Sequence, residues 1–286
     1  MPRPPFLLTM PESHDTATIF ASPHSGRDYP WEFIRESQLD ERTIRTSEDA
    51  FVDQLFDAAP ECGAPLLTTA VPRAYVDLNR SSEELDPALI SGVRQTGHNP
   101  RISSGLGVIP RVVAGGREIR NGKISLTEAR RRLDLFYHPY HQKLAALMDD
   151  NCQRFGFSLL FDCHSMPHEA LSATTFPVDA RPEIVLGDRF GAACDPELVE
   201  SVETEFTGAG LRVSRNLPFA GAHVTQRYGR PAEGLHAIQI EIDRSLYMDE
   251  VALRPNANFE DFRMVLRRVI AGLSELGRRE IHEAAE

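Results

Sequence analysis

The chain has 286 residues, of which 41% are hydrophobic and 26% charged, an ordinary globular balance. Its formal net charge is −11, with 42 acidic against 31 basic residues. So acidic a chain argues against nucleic acid and anionic membrane as partners, because attraction to phosphate needs a basic face. No apolar run of about 18 residues is present, so no transmembrane helix is expected. Cys62, Cys152, Cys163 and Cys194 are far apart with no C-x-x-C pair, which points to free thiols in a reducing cytoplasm and away from a disulfide framework or zinc ribbon. The N-terminus, Met1-Pro2-Arg3-Pro4-Pro5-Phe6-Leu7-Leu8, lacks an apolar segment adequate for a signal peptide.

Residues 16–22 read as a central strand that stops at Pro23-His24-Ser25-Gly26, a tight connection whose polar groups lie open to a ligand. Residues 47–57 read as a helix with Ser47 as N-cap and Phe51, Leu55 and Phe56 facing the core. Glu48 and Asp49 in its first turn either compensate the helix dipole or offer a metal ligand. Residues 65–70 and 74–77 are the next strand candidates. They lead into Asn79-Arg80, where an amide beside a guanidinium either grips a carboxylate or merely forms a turn. Residues 91–122 are rich in Gly, Ser, Pro and Arg, which suits loops, a hairpin and lid material.

Ser125-Leu126-Thr127-Glu128 has the form of a capping box and opens a long helix to about residue 154. His138 and His141 lie one helical turn apart, with Pro139 expected to kink or break the helix between them. With no acidic or cysteine partner beside them, packing or substrate contact suits them better than metal binding. Residues 157–161 are almost all apolar, as in a strand buried on both faces, and end abruptly in Asp162-Cys163-His164-Ser165. A second strand that delivers His-Ser is harder to explain by core filling alone.

Residues 183–187 form a strand, and Asp195-Pro196-Glu197 starts a helix to about residue 206. Residues 211–214 are strand-like, and two glycine-bearing loops follow at 218–223 and 228–230. In residues 235–244 the alternation of Ile238, Ile240 and Ile242 implies a strand whose other face carries Gln239, Glu241 and Asp243. That face is either solvated or turned into a polar cavity. Asn258 caps a last amphipathic helix to about residue 278, ahead of a frayed acidic tail.

Strands alternate with helices throughout, without repeats or a linker. One α/β domain over residues 1–286 with a parallel or mixed sheet is expected, its first ~10 and last ~8 residues flexible. Open sheets of this kind place ligands outside the carboxyl ends of their strands. Gathered there are His24, His164, a carboxylate from Asp49 or Glu48, Glu241, and Asn79 with Arg80. Two imidazoles and a carboxylate make a mononuclear hydrolytic zinc site. A further carboxylate not on the metal would serve as general base.

Taken jointly and in order, Ser22-Pro23-His24-Ser25-Gly26, Val76-Asp77-Leu78-Asn79-Arg80, Asp162-Cys163-His164-Ser165-Met166 and Gln239-Ile240-Glu241-Ile242-Asp243-Arg244 resemble the N-formylglutamate amidohydrolase family. The resemblance spans about residues 18–270. That family is similar in fold to the zinc carboxypeptidases, which implies a three-layer α/β/α sandwich with a mixed, mostly parallel sheet. It carries His24 and His164 over as imidazole ligands of one divalent metal, zinc being the expected ion. It carries Glu241 over as the general base and Asn79-Arg80 as the carboxylate grip. The carboxypeptidase motif is His-x-x-Glu, but Arg27 stands three after His24. The acidic ligand must then come from elsewhere, Asp49 first, with Glu48 and Asp28 as alternates. Asp162 is expected to orient a neighbouring group, and Cys163 to face the core.

The implied reaction is hydrolysis of N-formyl-L-glutamate to formate and L-glutamate, the last step of one histidine-degradation route. Arg80, Arg244 or Arg230 would pair with the two carboxylates of this small dicarboxylate substrate, and Arg80 or Arg117 with the developing oxyanion. Two other readings stand beside it: a carboxypeptidase-like or aminoacylase activity on another N-acyl amino acid, and a ligand-binding protein that keeps the fold without turnover. A cytoplasmic protein, as monomer or homodimer, fits all three.

Overall fold

Runs that are apolar on both faces build the centre of the sheet. The computed structural model describes residues 4–94, 99–173, 176–177 and 180–283. Its seven-stranded sheet consists of β1 (Leu7–Thr9), β2 (Thr18–Ser22), β3 (Leu66–Thr68), β4 (Ser158–Met166), β5 (Ile184–Gly187), β6 (Val213–Arg215) and β7 (Leu235–Asp243), in the order β1-β3-β2-β4-β7-β5-β6. β4 runs parallel to both β2 and β7, β6 runs parallel to β5, and β5 is antiparallel to β7. This is the mixed, mostly parallel sheet of an α/β fold. Every residue of β2, β4 and β7 is buried, so their carboxyl ends share one edge of a sheet with no solvated face at its centre. β1 lies within the N-terminal segment expected to be flexible.

Contacts group the described residues into two compact units, one within residues 1–7, 23–50 and 68–143, the other within residues 8–22, 51–67 and 144–286. In the first unit, α1 (Leu126–Arg132) opens as its sequence requires, with the Ser125 hydroxyl accepting from the Glu128 amide at 3.1 Å. The break expected at Pro139 takes the form of a π-helical turn, Leu133–Tyr137, ahead of α2 (His138–Phe155). There the His138 amide reaches back to the Leu133 carbonyl, the widened turn that a proline ring one residue on demands.

Two expectations fail for the same reason, local capture of backbone groups. The helix expected over 47–57 is broken: Glu48 is extended, Phe51 takes φ 68°, and only Val52–Leu55 is α-helical. The Asp49 amide is donated to the His24 carbonyl at 3.1 Å in place of a helical partner. Residues 74–77 form turns rather than a strand, since the Pro72 carbonyl accepts from both Tyr75 and Val76 amides. The hairpin expected within 91–122 is present as Val112–Val113 against Arg117–Glu118, while residues 95–98 lie outside those described.

In the second unit the core centres on Phe20 and Phe161, fully buried and stacked at 5.2 Å, with Phe56 5.8 Å from Phe20. Truncating one such ring to alanine costs about 3–5 kcal/mol. α3 (Pro196–Gly208) begins at the N-cap Asp195, whose side chain accepts from the Glu197 amide. α4 (Phe259–Glu283) extends past the expected end and buries Leu266, Val269, Ile270 and Leu273. The Thr16 hydroxyl donates to the Ser274 carbonyl at 2.6 Å, tying α4 to the start of β2. Among the described residues, no helix is long and apolar enough to cross a membrane.

Candidate active site

The loop after β2 is placed by Gly26. A Cβ there would fall 2.1 Å from the Val71 carbonyl oxygen, so only glycine permits this approach. The Asp28 amide, bonded to the Ala70 carbonyl at 2.8 Å, completes the clamp. His24 is thereby buried, with Nε2 2.7 Å from Asp77 Oδ1 and Nδ1 3.4 Å from Asp49 Oδ2. Arg73 spans the same two carboxylates, at 2.9 Å from Asp77 and 3.9 Å from Asp49. Burial pushes the Asp77 carboxyl up, but His24, Arg73 and Arg80 outweigh it and hold Asp77 well below the usual carboxylate range. An ionised Asp77 takes the Nε2 proton of His24 in a hydrogen bond and leaves the Nδ1 lone pair on the side of Asp49.

The sequence offers three carboxylates as partners of His24. Glu48 is occupied, accepting from the Tyr29 hydroxyl at 2.7 Å and from Arg45 at 3.0 and 3.1 Å. Asp28 is exposed. Asp49 is buried and lies against the imidazole.

The turn after Asp77 delivers Asn79 and Arg80. Asp77 Oδ1 accepts from the Asn79 amide at 2.9 Å, and the Arg80 guanidinium donates to the carbonyls of Asn79 at 2.8 Å and Leu106 at 3.1 Å. Among the described residues no carboxylate forms an ion pair with Arg80, which leaves its charge available to an anion. The turn is held from behind by Tyr137, whose hydroxyl donates to the Arg80 carbonyl at 2.8 Å, and by His141, whose Nε2 lies 2.9 Å from the Leu78 carbonyl. The His138 ring is half-exposed and faces Asp134 at 3.9 Å. The two histidines therefore share no site, and His141 serves packing. Arg117 is spent on the hairpin, bonded to the Ala114 carbonyl and the Thr46 hydroxyl.

In the second unit, β4 and β7 are in parallel register with Asp162 opposite Gln239 and His164 opposite Glu241. The two-residue period puts Asp162 with His164, and Gln239 with Glu241, on one face. His164 Nε2 lies 3.0 Å from Asp162 Oδ2, the same arrangement His24 has with Asp77. Glu241 accepts from Gln239 Nε2 at 2.7 Å, and Gln239 Oε1 accepts from the Ala222 amide at 3.0 Å. Gly187 allows that loop to approach, since a Cβ there would meet the Gly221 nitrogen at 2.5 Å. Gln239, Glu241 and Asp243 are all buried, so the polar face of β7 is not a solvated one. Cys163 is fully buried on the other face, its thiol pKa pushed up by burial, as a core residue should be.

Arg244, directly after β7, is buried and donates to the Ser165 hydroxyl at 3.1 Å, with Glu250 at 3.7 Å. Arg230 is not brought to this end. Its amide bonds the Leu235 carbonyl at the start of β7 and its side chain meets Glu233 at 3.4 Å. Leu235 is six residues before Glu241, about 20 Å along a strand. Asp77, Arg73 and Gln239 carry parts of the arrangement that sequence reasoning did not assign. Asp77 and Gln239 sit inside motifs already singled out, two residues before Asn79 and Glu241, and that placement was the available signal.

The chain matches known proteins over nearly its full length. The family profile described as N-formylglutamate amidohydrolase matches residues 16–248. An N-formylglutamate deformylase of Pseudomonas aeruginosa is 34% identical over 262 residues, 90% of this chain and 91% of that protein. One of Pseudomonas putida is 29% identical over 267 residues, 91% of this chain and 92% of that protein. The crystal structure of N-formylglutamate amidohydrolase from Ralstonia eutropha JMP134 superposes with a TM-score of 0.89 at 35% identity, covering 96% of this chain and 99% of that one.

Proposed function

This chain belongs to the N-formylglutamate amidohydrolase family and is a hydrolase acting on an amide bond, and we propose that it cleaves N-formyl-L-glutamate to formate and L-glutamate with one divalent metal ion. The observation that carries the metal is a donor set. In the first unit His24 and Asp49 are buried with Nδ1 3.4 Å from Oδ2, and in the second His164 is buried at the end of β4 beside Asp162. Two imidazoles with a carboxylate suit zinc, and each imidazole has its Nε2 against a second carboxylate, Asp77 or Asp162, which leaves Nδ1 for the ion. A cation held there supplies Lewis acidity and lowers the pKa of water.

The protein groups divide the remaining work. Glu241 takes a proton from the attacking water and returns it to the departing nitrogen, and the proton left on the formic acid product passes to the freed amine, so that formate and the ammonium of glutamate leave with all atoms accounted for. The Gln239 amide fixes one oxygen of Glu241 and so directs the other. Arg80 with Asn79 grips one substrate carboxylate in the manner of a guanidinium fork, and Arg244 attracts the second. These cations reconcile a dicarboxylate substrate with a chain of net charge −11. Within histidine degradation this is the terminal, formate-releasing step. The four free thiols suit a reducing cytoplasm.

A panel of N-formyl, N-acetyl and longer N-acyl amino acids tests the specificity. Formate release from N-formyl-L-glutamate should exceed turnover of every N-acetyl or longer acyl analogue. Preferential cleavage of another acyl group contradicts the assignment.

A further inference from the structure

A cavity of about 770 Å³ opens in the first unit between the short helix Trp31–Glu36 and α1, a size typical of small-molecule sites, ~300–1,000 Å³. Neither Asn79 nor Arg80 lines it. One wall is aromatic: Tyr75 meets Phe33 and Phe136 edge-on at 5.3 and 5.9 Å. The charged part of the lining has four basic side chains against three acidic ones, an excess of one positive charge in a chain that is strongly acidic overall.

The cations are incompletely satisfied. Arg132 is 5% exposed, and its guanidinium lies 4.0 Å over the Tyr75 ring. Its Nε donates to Glu128 at 2.8 Å and its Nη1 to the Tyr75 carbonyl at 3.2 Å, while its Nη2 has no acceptor among the described residues. Arg120 pairs with Glu36 at 3.1 Å, yet its buried Nε meets no acceptor among the described residues. Lys123 donates only to the Pro87 carbonyl at 2.7 Å and has no carboxylate partner among them. Of these, the Arg120 Nε is a buried donor without an acceptor among the described residues, which is costly, and an oxyanion is the acceptor whose geometry fits a guanidinium.

We propose that this cavity is a second ligand site, separate from the Arg80 grip, which takes a small organic carboxylate with a flat apolar body. The carboxylate meets Arg120, Lys123 and Arg132, and the body lies against Phe33 and Phe136, beside the Tyr75 face that Arg132 covers.

The intact metal-loaded chain is titrated by calorimetry with benzoate, benzamide and inorganic phosphate. Benzoate binds, whereas the neutral amide and the phosphate, each lacking one half of the recognition, bind at least about tenfold more weakly. The Arg120→Ala/Lys123→Ala variant weakens benzoate about tenfold or more while its melting temperature and formate release stay at the wild-type level. Should that pair fold poorly, Lys123→Ala alone, on the exposed rim, must still weaken benzoate. Arg80→Ala leaves benzoate binding unchanged. The proposal is overturned if benzoate fails to bind, if benzamide or phosphate binds as well, if removing Arg120 and Lys123 has no effect, or if Arg80→Ala abolishes binding.

Discussion

His24 Nε2 lies 2.7 Å from Asp77 Oδ1, a bond that joins positions 53 residues apart and fixes which nitrogen of the imidazole faces Asp49. Asp77→Asn should keep the shape and lose the charge. An amide at that position can present its nitrogen, and the ring then loses its enforced tautomer. The expected result is a metal affinity about 10–100-fold lower, measured by competition with a chromophoric chelator, with activity partly restored at saturating metal. An unchanged affinity would show that the bond is merely structural.

Glu241→Gln should lower kcat by about 10²–10⁴-fold, because the amide cannot accept the water proton. Metal content should stay at the wild-type level. Gln239→Leu removes the 2.7 Å bond to Glu241 and should lower kcat less, with KM little changed. If Glu241→Gln turns over normally with its metal in place, another group is the base.

Arg80→Lys should raise KM for N-formyl-L-glutamate about tenfold or more, because a point charge does not replace a bidentate fork. The corresponding substrate amide, which lacks the gripped carboxylate, should be hydrolysed equally by wild type and variant. A double-mutant cycle between protein and substrate measures this coupling. A coupling near zero assigns the carboxylate to Arg244 instead.

Much of this arrangement was legible because it is carried by short motifs at strand ends. The apolar run before Asp162 suits a buried strand, and two such strands ending in His-Ser are hard to explain by core filling alone. What was hidden depends on contacts that no spacing encodes. Ser47-Glu48-Asp49 is a good helix start, yet the His24 carbonyl captures the Asp49 amide and the helix begins only at Val52. Asp77 was read as the end of a strand, though the Pro72 carbonyl folds that segment into turns. By sequence Arg230 stands with Arg80 and Arg244 as a candidate partner of the substrate carboxylates. Its place at the start of β7 follows only from strand direction.

Stability should fall in mild acid through His236. Its Nδ1 accepts from the Asp195 amide at 3.2 Å, at the N-cap of α3, so the folded state requires the neutral ring. Burial lowers its pKa below 6.5 against the opposing charge of Asp195. Between the folded pKa and 6.5 the unfolded chain binds more protons, so this contribution is complete above about pH 6.5 and is lost as pH falls below it. Urea midpoints should decline from pH 7 to pH 5, and His236→Gln should show a shallower decline. Parallel declines in the two proteins would remove His236 from the account.

Catalysis by a divalent ion requires that His24, Asp49 and His164 hold it together. Its most direct test is formate release from N-formyl-L-glutamate measured alongside metal content, before and after chelation. About one equivalent of metal per chain is expected. Metal and activity should be lost together and restored together by added zinc, and neither should be restored in His24→Ala, Asp49→Ala or His164→Ala. Unimpaired formate release by the metal-free protein would contradict it.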